Sequence, residues 1–355
     1  MQFPKILGRL AVLALACGGS VSAISQTHWS VAKTYPLGGQ GAWDYLTVDA
    51  SEHRLFVPRS THMMVVDSEY GKLLGDIPGL KIAHGVAIVP SAGRGFISDG
   101  GGDGSVAVFD LKTYALLGRI ATLPDSDGII YDASQGLVLV VSGDKDTLMS
   151  FRPDIDLKAG KLDAPIDLGG APEFLASDGA GKVYVNLMDK NEVATVDLKL
   201  RKVVARWPVA PGGAPVGMSI DLKRRLLFIG CRKPQMLVAM SLDTGKVVSA
   251  MPIGSSVDAV VVDRGQVFAS CRDGSLSVAE EKSPGDFKVV QVVKTRMGAS
   301  TMGLDPGSHQ IYLPAAEFQE AAPGVTKRQM KPDSFMIVVV SQEKPRQQIS
   351  SQNRN

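Results

Sequence analysis

Asp44, His84, Asp127, Glu173 and Asp258 stand at the starts of short apolar segments, where apolar filler is the expected occupant. Arg59, Asn186, Arg232 and Arg272, with Asp99, Lys145 and Glu317, stand at or just past the ends of the segments that follow. Brought together, carboxylates and an imidazole offer three chemistries. They can bind a divalent cation, the carboxylates suiting Ca²⁺ or Mg²⁺ and the histidine a transition ion. They can exchange protons as paired acids and bases. They can also capture a polar ligand by hydrogen bonds, with the arginines serving an anionic group. No G-x-S-x-G, H-E-x-x-H, C-x-x-C-H or phosphate-loop pattern occurs, and the five histidines (28, 53, 62, 84 and 309) lack metal-ligand spacing. The sequence therefore requires no cofactor, and a divalent cation is an alternative only.

What must position these residues is a repeat. A turn residue, usually Asp, precedes an apolar strand seven times: DASEHRLFVP from Asp49, PSAGRGFIS from Pro90, DASQGLVLVVS from Asp132, DGAGKVYVN from Asp178, DLKRRLLFIGC from Asp221, DRGQVFASC from Asp263 and DPGSHQIYLPA from Asp305. The anchors are 41, 42, 46, 43, 42 and 42 residues apart. Each unit has an apolar strand before the anchor and another after it. A third ends in a second turn, as in VATVD at 193–197, and a fourth follows, as in KVVARWPV at 202–209. Short β-branched runs between Gly, Asp, Asn and Pro signal strands and hairpins. Four antiparallel strands every 40-odd residues make a propeller blade, whose faces are buried only by stacking on its neighbours.

The expected fold is all-β: a seven-bladed β-propeller of four-stranded antiparallel blades spanning residues 24–343. The last unit lacks a fourth strand, and HWSVAKTYPL at 28–37 has no blade of its own. That segment is expected to complete the last blade, closing the ring and protecting an edge. In a propeller the first strand of each blade lines the channel. Its start lies on the same face as the end of the second strand, so the two sets of residues named above converge on one channel mouth. The inner ring would be acidic with one histidine, and the outer ring partly basic. The competing structural reading is that these groups bind water, neighbouring blades and turn amides.

DGAGKVYVN at 178–186 and VAMSLDTGKVV at 238–248 resemble the repeat of the YVTN-type propellers, which include the YncE-like bacterial proteins. The resemblance covers roughly residues 30–343. It implies the fold rather than an activity, because propellers host enzymes, binding modules and scaffolds alike.

Lys5 and Arg9, an apolar run at 10–17 and Val21-Ser22-Ala23 form the three parts of a secretory signal peptide, residues 1–23. The protein is thus expected to be exported, periplasmic or extracellular. A loose lipobox at 14–17 makes lipidation of Cys17 the alternative. The chain has 38 Lys+Arg against 36 Asp+Glu, and removing Lys5 and Arg9 leaves it formally neutral. Neutrality disfavours nucleic-acid binding, which draws on a basic field. No other apolar stretch reaches transmembrane length, and a monomer is expected.

Cys231 and Cys271 occupy matching places in adjacent units. Export permits a disulfide, and the distance between equivalent points on neighbouring blades favours free thiols. The glycine-rich stretch DGGGDGS from Asp99 reads as a turn, His53 and His309 as turn residues, and Tyr184 and Tyr312 as packing residues. Residues 316–334 form a long insertion that would partly cover the mouth, and the polar tail 344–355 is expected to be disordered. The expected function is capture of a small ligand or of a protein or peptide partner at the mouth. The alternative is a metal-dependent, lactonase-like hydrolase, and nucleic-acid binding comes third.

Overall fold

The computed structural model describes residues 28–320 and 329–343. The signal segment with Cys17, Lys327 and Arg328 of the insertion, and the tail 344–355 lie outside the described residues.

The anchor aspartates make their turns by accepting backbone amides. Asp132 Oδ1 accepts from Gln135 N at 2.7 Å, Asp221 Oδ1 from Arg224 N at 2.9 Å, and Asp305 Oδ1 from Gly307 N at 2.7 Å. Local side-chain capping of this kind draws Asp into turns. The chain then enters the second strand through a left-handed residue, as at His53, Arg225 and His309 with φ of 51°, 58° and 58°. These positions tolerate non-glycine residues because each is a single turn residue held at both ends by strand pairing.

Strands and turns build antiparallel sheets: five of four strands and one of seven. In the larger sheet the 17-residue strand Leu73–Val89 serves two partners. Its first part pairs with Ser60–Asp67 and its second with Arg94–Asp99, so it leaves the rim of one four-stranded unit and becomes the innermost strand of the next. The only helical turn among the described residues is Pro90–Ala92. No helix among them is long and apolar enough to cross a membrane.

Burial is greatest in the middle of each sheet and least at its outer edge. The second strands Arg54–Pro58 and Gln266–Cys271 are buried at every residue, whereas the outer strand Lys202–Pro208 alternates exposed and half-buried positions. The core lies between sheets. Phe56, Met63 and Val65 of one unit pack on Ile97, Ala107 and Phe109 of the next, and the Phe56 and Phe109 rings are 5.6 Å apart. Such seams bury apolar area that an isolated sheet leaves in water, at roughly 25 cal/mol per Å².

The expected closure is present. Trp29–Pro36 pairs antiparallel with Met336–Gln342 and completes a sheet with Gln310–Ala315 and Gly303–Asp305. Trp29 fastens it: the indole Nε1 donates to Gln266 Oε1 at 3.0 Å and the ring meets Phe268 edge-on at 4.7 Å. Cys231 and Cys271 are buried free thiols, each pushed up to about 12 by burial. The glycine-rich stretch is a turn between Arg94–Asp99 and Ser105–Asp110, as expected.

Candidate functional site at the channel mouth

Five inner strands carry a bulge near their start, and in four of them the bulge holds one of the acidic or imidazole residues. Pairing registers shift between Ala83 and Val86, Pro172 and Leu175, Pro215 and Met218, and Val257 and Ala259. In the third unit the shift lies opposite Asp127. A bulge leaves one residue out of the ladder and re-aims its side chain, here that of His84, Asp127, Glu173 or Asp258. Glycine is needed beside two bulges because neighbouring strands nearly touch. A Cβ at Gly128 would lie 2.6 Å from the Glu173 carbonyl, and one at Gly217 would lie 2.6 Å from that of Asp258.

Asp44, His84, Asp127, Glu173, Asp258, Arg232 and Arg272 all line one open cavity of about 1170 Å³. Trp43, Phe318 and Met330 form its apolar wall, with the Trp43 and Phe318 rings 6.3 Å apart. Phe318 and Met330, in the described part of the insertion, are joined by a β-bridge. Deeper along the axis lies a void of about 90 Å³, lined largely by apolar groups including Phe174, Met218 and Met302. The mouth is therefore a bowl with an apolar floor.

Within the bowl, His84 Nδ1 is 2.7 Å from Asp44 Oδ2 and 3.5 Å from Asp127 Oδ1. Burial opposes the charged imidazole, but the Asp44 hydrogen bond and the Asp127 and Asp44 charges prevail and raise His84 to about 9. Burial raises Asp127 well above the usual carboxylate range, with Asp44 and Glu173 adding to the effect against His84. Asp44 is raised by burial against the pull of His84. Glu173 reaches about 7, first through burial and then through Asp258, Asp44 and Asp125, with Arg232 opposing. Across the bowl, Asp258 is held by Arg232, by Arg272 at 3.4 Å, and by the Ser300 hydroxyl, which donates to Oδ2 at 2.8 Å. Arg272 remains 65% exposed at its side chain, with donors to spare for a ligand.

Two expected ligand residues do not reach the cavity. Arg59 is fully buried, donating to the carbonyls of Gly38, Gly39 and Gly41 and lying 3.6 Å over the Phe335 ring. It shapes the loop that delivers Asp44. Asn186 is also fully buried, and its amide donates to the Val216 and Gly217 carbonyls at 2.7 and 3.3 Å. Those carbonyls belong to the bulge of the next sheet, so Asn186 satisfies groups that the broken ladder frees. Asp99 is buried on Arg119 and the Lys81 and Ile82 amides, Lys145 is exposed outside the cavity, and Glu317 pairs with Arg296 and Lys331 at the rim. Sequence reading missed Trp43, Phe318 and Met330 as the wall; aromatic residues flanking Asp44 and in the insertion were the available signal.

No protein-family model matches the chain, and no curated protein matches it either. Solved structures do match. The WD40 repeats of RRP9 superpose with a TM-score of 0.72 at 10% identity, covering 89% of this chain and 100% of that one. The WD40 β-propeller domain of Doa1 gives 0.65 at 14% identity, covering 89% and 98%. Hydrazine synthase of Kuenenia stuttgartiensis gives 0.65 at 13%, covering 77% and 92%. At such identities the likeness is one of fold, and the chain is a β-propeller.

Proposed function

We propose that this chain is an exported, monomeric, seven-bladed propeller that captures a small carboxylate-bearing ligand, or a chain terminus, in its channel mouth. The blade count is supported by dividing the strand Leu73–Val89 between two units, which turns the seven-stranded sheet into two blades beside five others. Contacts between successive inner strands, closing from Gly303–Asp305 back to Thr47–Asp49, support it too. Export rests on residues 1–23, and kinship with the YVTN-type propellers rests on the repeat motifs.

One observation carries the functional reading: a single bowl gathers Asp44, His84, Asp127 and Glu173 together with Asp258 and the two arginines that pair with it. A carboxylate meets Arg272, with Arg232 behind it, in the bidentate manner guanidinium favours. The ligand's positive end, or a cation that accompanies it, sits over Asp44, Asp127 and Glu173, whose pKa values are raised first by burial and then by neighbouring carboxylates. The hydrolase alternative uses the same bowl and needs a metal-bound water in it.

Calorimetric titration with glycylglycine, which has both charges, tests the reading. Saturable binding that is lost in Arg272→Ala supports it. Equal heats from wild type and variant, or no saturable binding of glycylglycine or succinate, contradict it.

A further inference from the structure

Among the described residues, one group of side chains is arranged to hold a metal ion: Asp44, His84 and Asp127, whose ligand atoms all lie within 4.8 Å of one another. Two of the three separations are 2.7 and 3.5 Å, from His84 Nδ1 to Asp44 Oδ2 and to Asp127 Oδ1. Bonds of about 2.1 Å to such donors put neighbouring ligand atoms roughly 3.4 Å apart in a tetrahedral shell. Small rotations of the side chains therefore suffice.

A second observation concerns Asp127 alone. Its Oδ1, the atom that faces His84, is buried without a hydrogen bond. A desolvated carboxylate oxygen that lacks a donor is costly. The imidazolium 3.5 Å away offsets that cost without a hydrogen bond, whereas a metal ion displacing the imidazole proton would meet both groups directly. The backbone keeps the ring in place: a Cβ at Gly100 would lie 2.9 Å from His84 Nε2, so glycine there lets the imidazole approach the turn closely. The third observation is the open side. Three protein ligands facing a cavity of about 1170 Å³ leave further positions free, the pattern of an exchangeable rather than a closed structural site. One nitrogen and two oxygens suit borderline first-row ions better than Ca²⁺, which takes six to eight oxygens.

We propose that Asp44, His84 and Asp127 bind one divalent first-row transition ion, leaving its remaining coordination positions open to the bowl. The proposal rests on the mouth being a ligand site and deepens that reading. The ion is the cation of the inner ring, and a bound carboxylate spans from it toward Arg272.

The test uses the full chain, stripped of metal and titrated with zinc chloride by calorimetry, then with cobalt(II), whose absorption reports its coordination. One saturable site per chain is expected. It is weakened at least about tenfold in both Asp127→Asn and His84→Gln. It is unchanged in His309→Gln, which removes a second close imidazole–carboxylate pair, Asp263–His309, at the turn end of the strands. Circular dichroism melts check folding, and the nearly isosteric Asp127→Asn decides the matter should His84→Gln fail to fold. A wild type without a saturable site, or one whose affinity matches Asp127→Asn, overturns the proposal. Glycylglycine binding to the metal-free wild type, lost in Arg272→Ala, would then leave the ligand-site reading standing by itself.

Discussion

Glu173 is the residue whose protonation most directly reports the crowding of the mouth. It is raised from its ordinary 4.5 to about 7 by burial and by Asp258, Asp44 and Asp125, against Arg232. Between those values the folded protein keeps a proton that the unfolded chain has released. Stability from this group therefore falls as pH rises from about 4.5 to 7, and is flat outside that window. Glu173→Gln is expected to match wild type near pH 4 and to exceed it by on the order of 2 kcal/mol near pH 8. Urea denaturation at the two pH values measures this. Asn186 gives a contrasting case. Asn186→Ala leaves the Val216 carbonyl without its 2.7 Å donor and opens a small void, and is expected to cost about 2 kcal/mol while leaving zinc affinity unchanged. Denaturation midpoints and the zinc titration separate the two effects.

At the scale of elements, the strand Trp29–Pro36 is the clasp of the ring. Trp29 is 1% exposed and ties its strand to the neighbouring sheet through Gln266 and Phe268. Trp29→Ala is expected to cost about 3–5 kcal/mol. A chain lacking residues 28–36 exposes the edge of Met336–Gln342 and is expected to self-associate. Denaturation and light scattering check these in turn. The strands themselves were legible in the sequence because their causes are local: an aspartate that caps a turn, then alternating β-branched residues. The clasp was legible by subtraction, from a unit lacking a strand and a strand lacking a unit. The joining of two units through Leu73–Val89 was not, since Pro78-Gly79 reads as a break and only the pairing partners keep the strand continuous. Five of five inner-ring residues reached the cavity, yet only Arg232 and Arg272 did so from the seven outer positions. At a strand end a single register step separates a side chain facing the channel from one facing the seam. The bulges that set this step depend on contacts with the next sheet, which no local pattern records.

On the scale of the whole molecule, radial stacking places apolar seams between sheets and leaves polar residues to gather where the inner strands begin. The uncoupling of scaffold from site is why WD40 structures of 10–14% identity share this fold and bear on its function only as scaffolds. Residues 24–355 are formally neutral, so a chain relieved of residues 1–23 would have no global field for nucleic acid. Titration of a labelled single-stranded oligonucleotide at physiological salt is expected to give a flat response, and salt-dependent saturation would revive the third reading. The central claim is that the bowl at the channel mouth is occupied in use. Native mass spectrometry of the protein taken from the cells that make it, beside an Asp127→Asn/Arg272→Ala double variant, tests that claim most directly. A stoichiometric adduct on the wild type that is missing from the folded variant is the expected result; an adduct carried equally by both, or none on the wild type, would contradict it.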